Sequence, residues 1–275
     1  MERLLGGVEL GGTKVVCAYG RGPHDVELVE RAPTTGPEQT LGWAVAQLRS
    51  FEHALGPMAA IGIASFGPLD LRPGNGPVGR ILRTPKPAWS DADIVAPFRE
   101  AFGVPVAVAS DVEGAALAEA AVGAGRGLRS FAYVTVGTGI GVGVMAGGAL
   151  VRGLLHPELG HIAVPRQPDD DYEGSCPYHG DCWEGLASGP AMAARWGAPA
   201  HALAGGLRDR AMELEAAYLA AGFRAIAYAY LPERIVVGGG VGLAPGLLPA
   251  VAERLVAELR GYPGVPELQQ PGFVA

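Results

Sequence analysis

His161, Cys176, His179 and Cys182 fall within 22 positions of a 275-residue chain that holds three cysteines in all. Zinc takes four soft-to-borderline ligands at roughly 2.0–2.3 Å, and two thiolates with two imidazoles are a standard structural set. The spacing Cys176-Pro-Tyr-His179-Gly-Asp-Cys182 lets one loop turn supply three ligands, with His161 arriving from a neighbouring segment. A structural zinc on these four residues is the expectation. Glu158 and Glu184 bracket the set. Carboxylates take charge-assisted hydrogen bonds from sugar hydroxyls, and a metal beside them would hold both in fixed geometry. Taken singly, they read equally well as surface glutamates.

Two glycine turns offer a second chemistry. Gly11-Gly12-Thr13-Lys14 lies between apolar runs, and Gly137-Thr138-Gly139 repeats the pattern a domain's length away. Such a turn presents consecutive backbone amides to a phosphate with no side chain in the way, and Thr13, Lys14 and Thr138 add hydroxyls and an ammonium. The P-loop pattern Gly-x4-Gly-Lys-Ser/Thr is absent, and Gly238-Gly239-Gly240 departs from the dinucleotide fingerprint. A nucleotide would therefore be held by another route. Asp111 stands where an apolar strand meets a helix. It either caps that helix, as Ser110-Asp111 could, or, kept ionised by the helix terminus, takes the proton of an attacking hydroxyl in phosphoryl transfer. His24 and His156 are expected at the solvent or as caps, and His53 and His201 carry no role.

Positioning these groups calls for an α/β chain. Leu4–Ala18 reads as strand–turn–strand, and Phe131–Val136 with Val142–Met145 repeats it across the second glycine turn. Arg234–Val237 reads as a strand running through glycines 238–242 into a helix over Leu247–Leu259. Short buried strands are expected at Ile61–Ala64 and Pro105–Ala109, helices at Val112–Val122 and Ala211–Tyr230, and an ordered loop region from Pro68 to Pro97. The likeness of the two hairpins suggests a duplicated domain, each copy with its own phosphate turn and a cleft between them. The boundary is expected after residue 112, giving domains 1–112 and 113–275.

Composition narrows the function. Forty-three glycines, 23 prolines and 49% hydrophobic residues suit a loop-rich α/β protein with a sizeable core rather than a helical bundle. A net charge of -7 with few basic clusters argues against nucleic acid or a membrane surface as partner. With two cysteines on metal only Cys17 remains, so no disulfide framework is available and a reducing cytosol fits. No signal-peptide run follows the first residues, and no apolar stretch approaches a membrane span. A soluble, cytoplasmic protein is expected.

Together these residues resemble the ROK family of sugar kinases over nearly the whole chain. Glu9-Leu10-Gly11-Gly12-Thr13-Lys14 resembles its first phosphate motif, Val136-Gly137-Thr138-Gly139-Ile140-Gly141 its second, Gly238-Gly239-Gly240-Val241 its adenosine motif, and Glu158-x-Gly-His161 with Cys176…Cys182-x-Glu184 its zinc and sugar signature. Three details resemble the bacterial fructokinase branch: Glu9 in place of aspartate, the histidine within Cys176–Cys182, and the loop Thr84-Pro85-Lys86-Pro87-Ala88-Trp89. The resemblance implies a two-domain actin-like ATPase fold, ribonuclease-H-like in each domain, with ATP and sugar in the interdomain cleft. It implies that Asp111 is the catalytic base, that Gly67, Pro68, Lys86, Glu158, His161 and Glu184 serve the sugar, and that His161 uses its other ring nitrogen on zinc. ATP would be held by Glu9, Gly11, Gly12, Thr13, Lys14, Gly137, Thr138, Gly139, Gly189, Pro190, Gly238, Gly239 and Gly240, with Mg2+ near Glu9 and a structural Zn2+ on His161, Cys176, His179 and Cys182. A homodimer is implied as well.

The implied reaction is transfer from ATP to D-fructose, giving fructose 6-phosphate. A broader mannose or glucose kinase and a catalytically weak, sugar-binding paralogue are the alternatives. A DNA-binding regulator of the family would need an N-terminal segment for which a hairpin starting at Leu4 leaves no room. Two departures stand out. Glu113 occupies a position where the family usually has asparagine, and its charge is expected either to perturb Asp111 or to face solvent. Family members generally continue past the equivalent of Pro271–Ala275 into a closing helix packed on the N-terminal domain, so reduced stability is expected.

Overall fold

The computed structural model describes residues 3–72 and 78–275. Strands β1 (Leu5–Leu10) and β2 (Lys14–Gly22) are antiparallel about the first glycine turn. β3 (Asp25–Pro33) pairs with β2, and α1 (Pro37–Leu55) leads to β4 (Ala60–Ser65), parallel to β1. The short strands β5 (Leu69–Asp70) and β6 (Arg80–Ile81) pair with each other. Helix α2 (Ala96–Phe102) precedes β7 (Val106–Ser110), and α3 (Asp111–Val122) follows it directly. The five-stranded sheet runs β3-β2-β1-β4-β7. One face alternates into a core where Val8, Leu10, Val15, Ile61 and Ile63 meet Leu41, Ala44, Leu48 and Phe51 of α1. Cys17 lies in that core, its thiol pushed up to about 12 by burial. Between Pro68 and Pro97 the expected loop region contains β5, β6, a 3-10 turn at Pro87–Trp89 and the start of α2; residues 73–77 of it lie outside the described residues.

A second sheet runs β10-β9-β8-β11. Its strands are β8 (Phe131–Val136), β9 (Ile140–Ala146), β10 (Ala149–Leu150) and β11 (Arg234–Gly238), with β11 parallel to β8. Helices α4 (Trp183–Ala187), α5 (Gly189–Trp196), α6 (Gly205–Tyr230) and α7 (Leu247–Leu259) bury Trp183, Tyr218, Phe223, Val251 and Leu255. α6 starts at Gly205, ahead of the expected Ala211. After α7 the chain returns to the sheet: Val274 forms a parallel bridge with Ile235, and Ala275 N donates to Ile235 O at 2.9 Å.

The chain divides into two compact units, one running to Val122 and taking in Arg152–His156, the other formed by Gly123–Val151 and Pro157–Ala275. The boundary thus falls after α3 rather than before it. α3 stays with the first sheet because Gly114 lies against β4, where a Cβ on it would meet the Cβ of Ala64 at 2.7 Å. No described helix is long and apolar enough to cross a membrane.

Candidate active site

In the first unit, parallel register builds the site. Leu10 pairs with Ser65 and Ser65 with Ser110, so β1, β4 and β7 end side by side. Gly11, Gly67 and Asp111 therefore leave the sheet at one edge, on strands about 4.8 Å apart, the carboxyl edge where open α/β sheets bind ligands. Gly11 N donates to Lys14 O at 2.9 Å, and a Cβ on Gly11 would lie 2.8 Å from that oxygen, so glycine is required there. Thr34 braces the turn: its N donates to Thr13 O (2.9 Å) and its Oγ1 to Gly11 O (2.7 Å). Glu9 sits on the face of β1 away from the core, with Oε1 3.9 Å from the Gly11 Cβ position. His156, expected at the solvent or as a cap, is instead 8% exposed, with Cε1 3.5 Å from a Cβ placed on Gly67. Buried there, it packs against the segment expected to line the sugar.

Asp111 does not cap its helix through the Ser110-Asp111 pair. Ser110 N donates to Glu113 Oε2 at 2.9 Å, and Glu113 N donates to Ser110 Oγ at 3.3 Å. This reciprocal pair is a capping box. Asp111, the first residue of α3, is exposed, and its Oδ1 accepts from Val112 N at 2.8 Å. Glu113 does not face solvent: it is 2% exposed and takes bonds from Arg152 Nε (2.6 Å) and Nη2 (3.0 Å). The guanidinium balances its charge, which answers the concern that Glu113 would act on Asp111 as a bare anion.

In the second unit three glycine segments meet at the end of β8. Gly189 N donates to Gly137 O at 2.7 Å, and Val241 N and Gly242 N both donate to Val136 O, at 3.0 and 3.1 Å. Gly239 has φ +87°, and a Cβ on it would lie 2.3 Å from Val136 O; only glycine fits. Gly137, Thr138, Gly189, Pro190 and Gly240 line a cavity of about 710 Å3, within the range of small-molecule sites. His201, given no role by the sequence, also lines it, as do Arg208, Met212 and Leu243. These positions belong to no glycine motif, which is why sequence reasoning passed over them. Gly238 serves packing, since a Cβ there would lie 2.3 Å from the Tyr133 hydroxyl, and Gly139 faces Glu184.

The segments around Glu158 and Glu184 come together through an antiparallel bridge, Ala163 with Cys182, and the bond Trp183 N to Ile162 O at 2.9 Å. Glu184 Oε2 accepts from Ile140 N at 2.9 Å, tying its carboxylate to the strand after the second glycine turn. Glu158 precedes the 3-10 turn Leu159–His161, with His161 N donating to its carbonyl at 3.0 Å. The four expected metal ligands form one cluster, all ligand atoms within 4.8 Å of one another. His161 Nδ1 lies 3.5 Å from Cys182 Sγ and 3.7 Å from Cys176 Sγ, and Cys176 Sγ lies 3.7 Å from His179 Nδ1. Tetrahedral zinc, with bonds of about 2.3 Å to sulfur and 2.05 Å to nitrogen, sets S and N about 3.6 Å apart, so the donors fit that ion. Burial, reinforced by the neighbouring Cys176, pushes the Cys182 thiol up to about 11, a cost that a bound cation offsets. A buried ion pair, Arg195 with Asp170 at 3.1 Å, holds the loop entering this cluster; Tyr218 donates to Asp170, and Arg195 Nη1 to Leu186 O at 2.9 Å.

A family model described as ROK family matches residues 5–271. The fructokinase of Zymomonas mobilis subsp. mobilis is 47% identical over 264 residues, covering 94% of this chain and 86% of that protein. The fructokinase of Pediococcus pentosaceus is 37% identical over 265 residues, covering 96% and 90%. The crystal structure of the ROK hexokinase from Thermus thermophilus superposes with a TM-score of 0.78 at 30% identity, covering 94% of this chain and 90% of that one. The sheets and helices of the two units are those of the actin-like ATPase fold. With its glycine turns, its zinc-type donor cluster and this likeness over nearly its whole length, the chain belongs to the ROK family.

Proposed function

We propose that this protein is an ATP-dependent hexose kinase whose substrate is D-fructose and whose products are fructose 6-phosphate and ADP. The observation that carries the reading is Asp111, exposed at the head of α3 beside the Ser110–Glu113 capping box and standing at the same sheet edge as the Gly11–Lys14 turn. The choice of fructose draws on the fructokinases at 47% and 37% identity.

Asp111 takes the proton of the sugar's 6-hydroxyl as that oxygen attacks the γ-phosphorus. The bond from phosphorus to the β–γ bridging oxygen breaks, and ADP leaves. The two glycine turns supply amides for the phosphates, and the cavity of the second unit receives the adenosine. Glu158, Glu184 and the Nε2 of His161 hold sugar hydroxyls, Gly67 and Pro68 close the sugar side, and Glu184 keeps one oxygen on Ile140 N. Glu9 beside the turn is the carboxylate that would hold a Mg2+ accompanying ATP, oxygen being the ligand this ion prefers, and the ion would supply charge neutralisation at the phosphates. Zn2+ on His161, Cys176, His179 and Cys182 is structural: four protein ligands leave no open position, and hydroxyl phosphorylation needs none. A homodimer follows from the same family reading, and sedimentation analysis tests it.

The test is ADP release by zinc-replete protein with MgATP across fructose, mannose, glucose and N-acetylmannosamine. Turnover dominated by fructose is expected. Dominance of another hexose would overturn the substrate, and silence on all four, with sugar binding intact, would overturn the kinase reading.

A further inference from the structure

The chain carries nineteen arginines and two lysines, Lys14 and Lys86. The two lysines, far apart in sequence, stand at one turn. Lys14 closes it, its carbonyl accepting from Gly11 N. Lys86 reaches over it: Cε lies 3.6 Å from where a Cβ on Gly12 would sit. The loop bearing Lys86 is held firmly. Trp89, 2% exposed, donates its Nε1 to Thr35 O at 2.8 Å and packs edge-on to Phe66. Trp89 N donates back to Lys86 O at 2.9 Å. The adjacent residue, Thr34, makes the two bonds that brace the phosphate turn. Turn and loop are thus pinned to neighbouring residues of a single segment. Among the described residues Lys86 enters no ion pair.

We infer that Lys86 contacts the phosphoryl group in flight rather than the sugar. This rests on the kinase reading above. A chain that uses arginine almost everywhere else places both of its lysines at the phosphate turn, Lys14 within it and Lys86 with its side chain over Gly12. Charge spread over the equatorial oxygens of a transferring phosphoryl group is offset by a cation aimed at them, and an ammonium on a flexible stem, with three donors at one point, can follow those oxygens as the bonds change. As the sugar oxygen bonds to the γ-phosphorus and the bond to the bridging oxygen breaks, ADP keeps that electron pair and Asp111 takes the hydroxyl proton. Lys86 gains and loses no proton; its charge offsets that on the phosphoryl oxygens.

Two experiments on the full chain test this. In steady-state kinetics with fructose and MgATP, Lys86→Met should lower kcat by about 10²-fold, as removal of one such electrostatic contact does, with the KM for fructose changed less than about threefold. Lys86→Arg should recover at least about tenfold of that loss. A kcat loss under about threefold, or a rise in the KM for fructose without loss of kcat, would overturn the assignment. In the second, brief acetylation of the wild type followed by peptide mass mapping reads two lysines directly. MgATP should protect Lys86 and fructose alone should not; protection by fructose alone, or none by MgATP, would overturn it. Wild-type protein inactive on every hexose would sink the kinase reading instead, an outcome the labelling keeps separate.

Discussion

Replacing Glu113 with alanine should destabilise the first unit and disturb the turn that carries Asp111. Three bonds end on this carboxylate: one from Ser110 N at 2.9 Å and two from Arg152 at 2.6 and 3.0 Å. Losing a capping interaction costs about 1 kcal/mol. The Arg152 side chain is 39% exposed, so solvent screens the pair and its guanidinium can turn to water when released. The pair is then worth roughly 1–2 kcal/mol, short of the roughly 3–5 kcal/mol that stranding a fully buried charge costs. Together Glu113→Ala should cost about 2–3 kcal/mol. For a domain of this size that lowers Tm by roughly 6–12 °C. Glu113→Gln retains an oxygen for Ser110 N and loses the charge, so about half that shift is expected. Thermal and urea unfolding of the full chain would measure both, and a cycle with Arg152→Ala should return a coupling of about 1–2 kcal/mol. The kcat should fall with alanine and largely return with glutamine. Melting of Glu113→Ala within about 0.5 kcal/mol of wild type, or a cycle without coupling, would refute the reasoning.

Asp111→Asn should lower kcat by about 10²–10⁴-fold, the share a positioned base contributes, with sugar affinity by titration unchanged; near-wild-type turnover would remove it as the base. Elemental analysis should find one zinc per chain, and Cys176→Ser or Cys182→Ser should lose it and melt earlier; full zinc content in Cys182→Ser would break the four-ligand assignment. Burial holds the Glu215 carboxyl well above its ordinary 4.5, outweighing the attraction of Arg195. The folded state then keeps a proton that the unfolded chain releases, so this stability is complete below pH 4.5 and is lost as pH rises through the folded value. Glu215→Gln, neutral throughout, should gain stability over wild type as pH rises above 4.5; parallel stability–pH curves for the two proteins would contradict this.

The glycine turns, the clustering of His161, Cys176, His179 and Cys182, and strands β1, β4, β8 and β11 were readable from sequence because each depends largely on residues a few positions apart. A turn that needs glycine beside Lys14 O, or ligands spaced to reach one ion, writes its requirement into neighbouring letters. β3 was not readable: its largely exposed residues show little apolar alternation. α1, by contrast, does carry a local signal, since Leu41, Ala44, Leu48 and Phe51 recur at helical spacing. Other matters were decided only by the tertiary structure. The capping box beside Asp111 depended on Glu113, and Glu113 is held by Arg152, which returns from beyond β10. His156 is buried against Gly67 although nothing near it in sequence predicts burial. His201 reached the cavity through a segment without a motif, and Lys86 met Gly12 because Trp89 anchored its loop at Thr35. Residue type and short spacing settle which chemistry a segment can do. Parallel register and long-range packing settle which segments meet, because those contacts join residues whose separation along the chain carries no local signal.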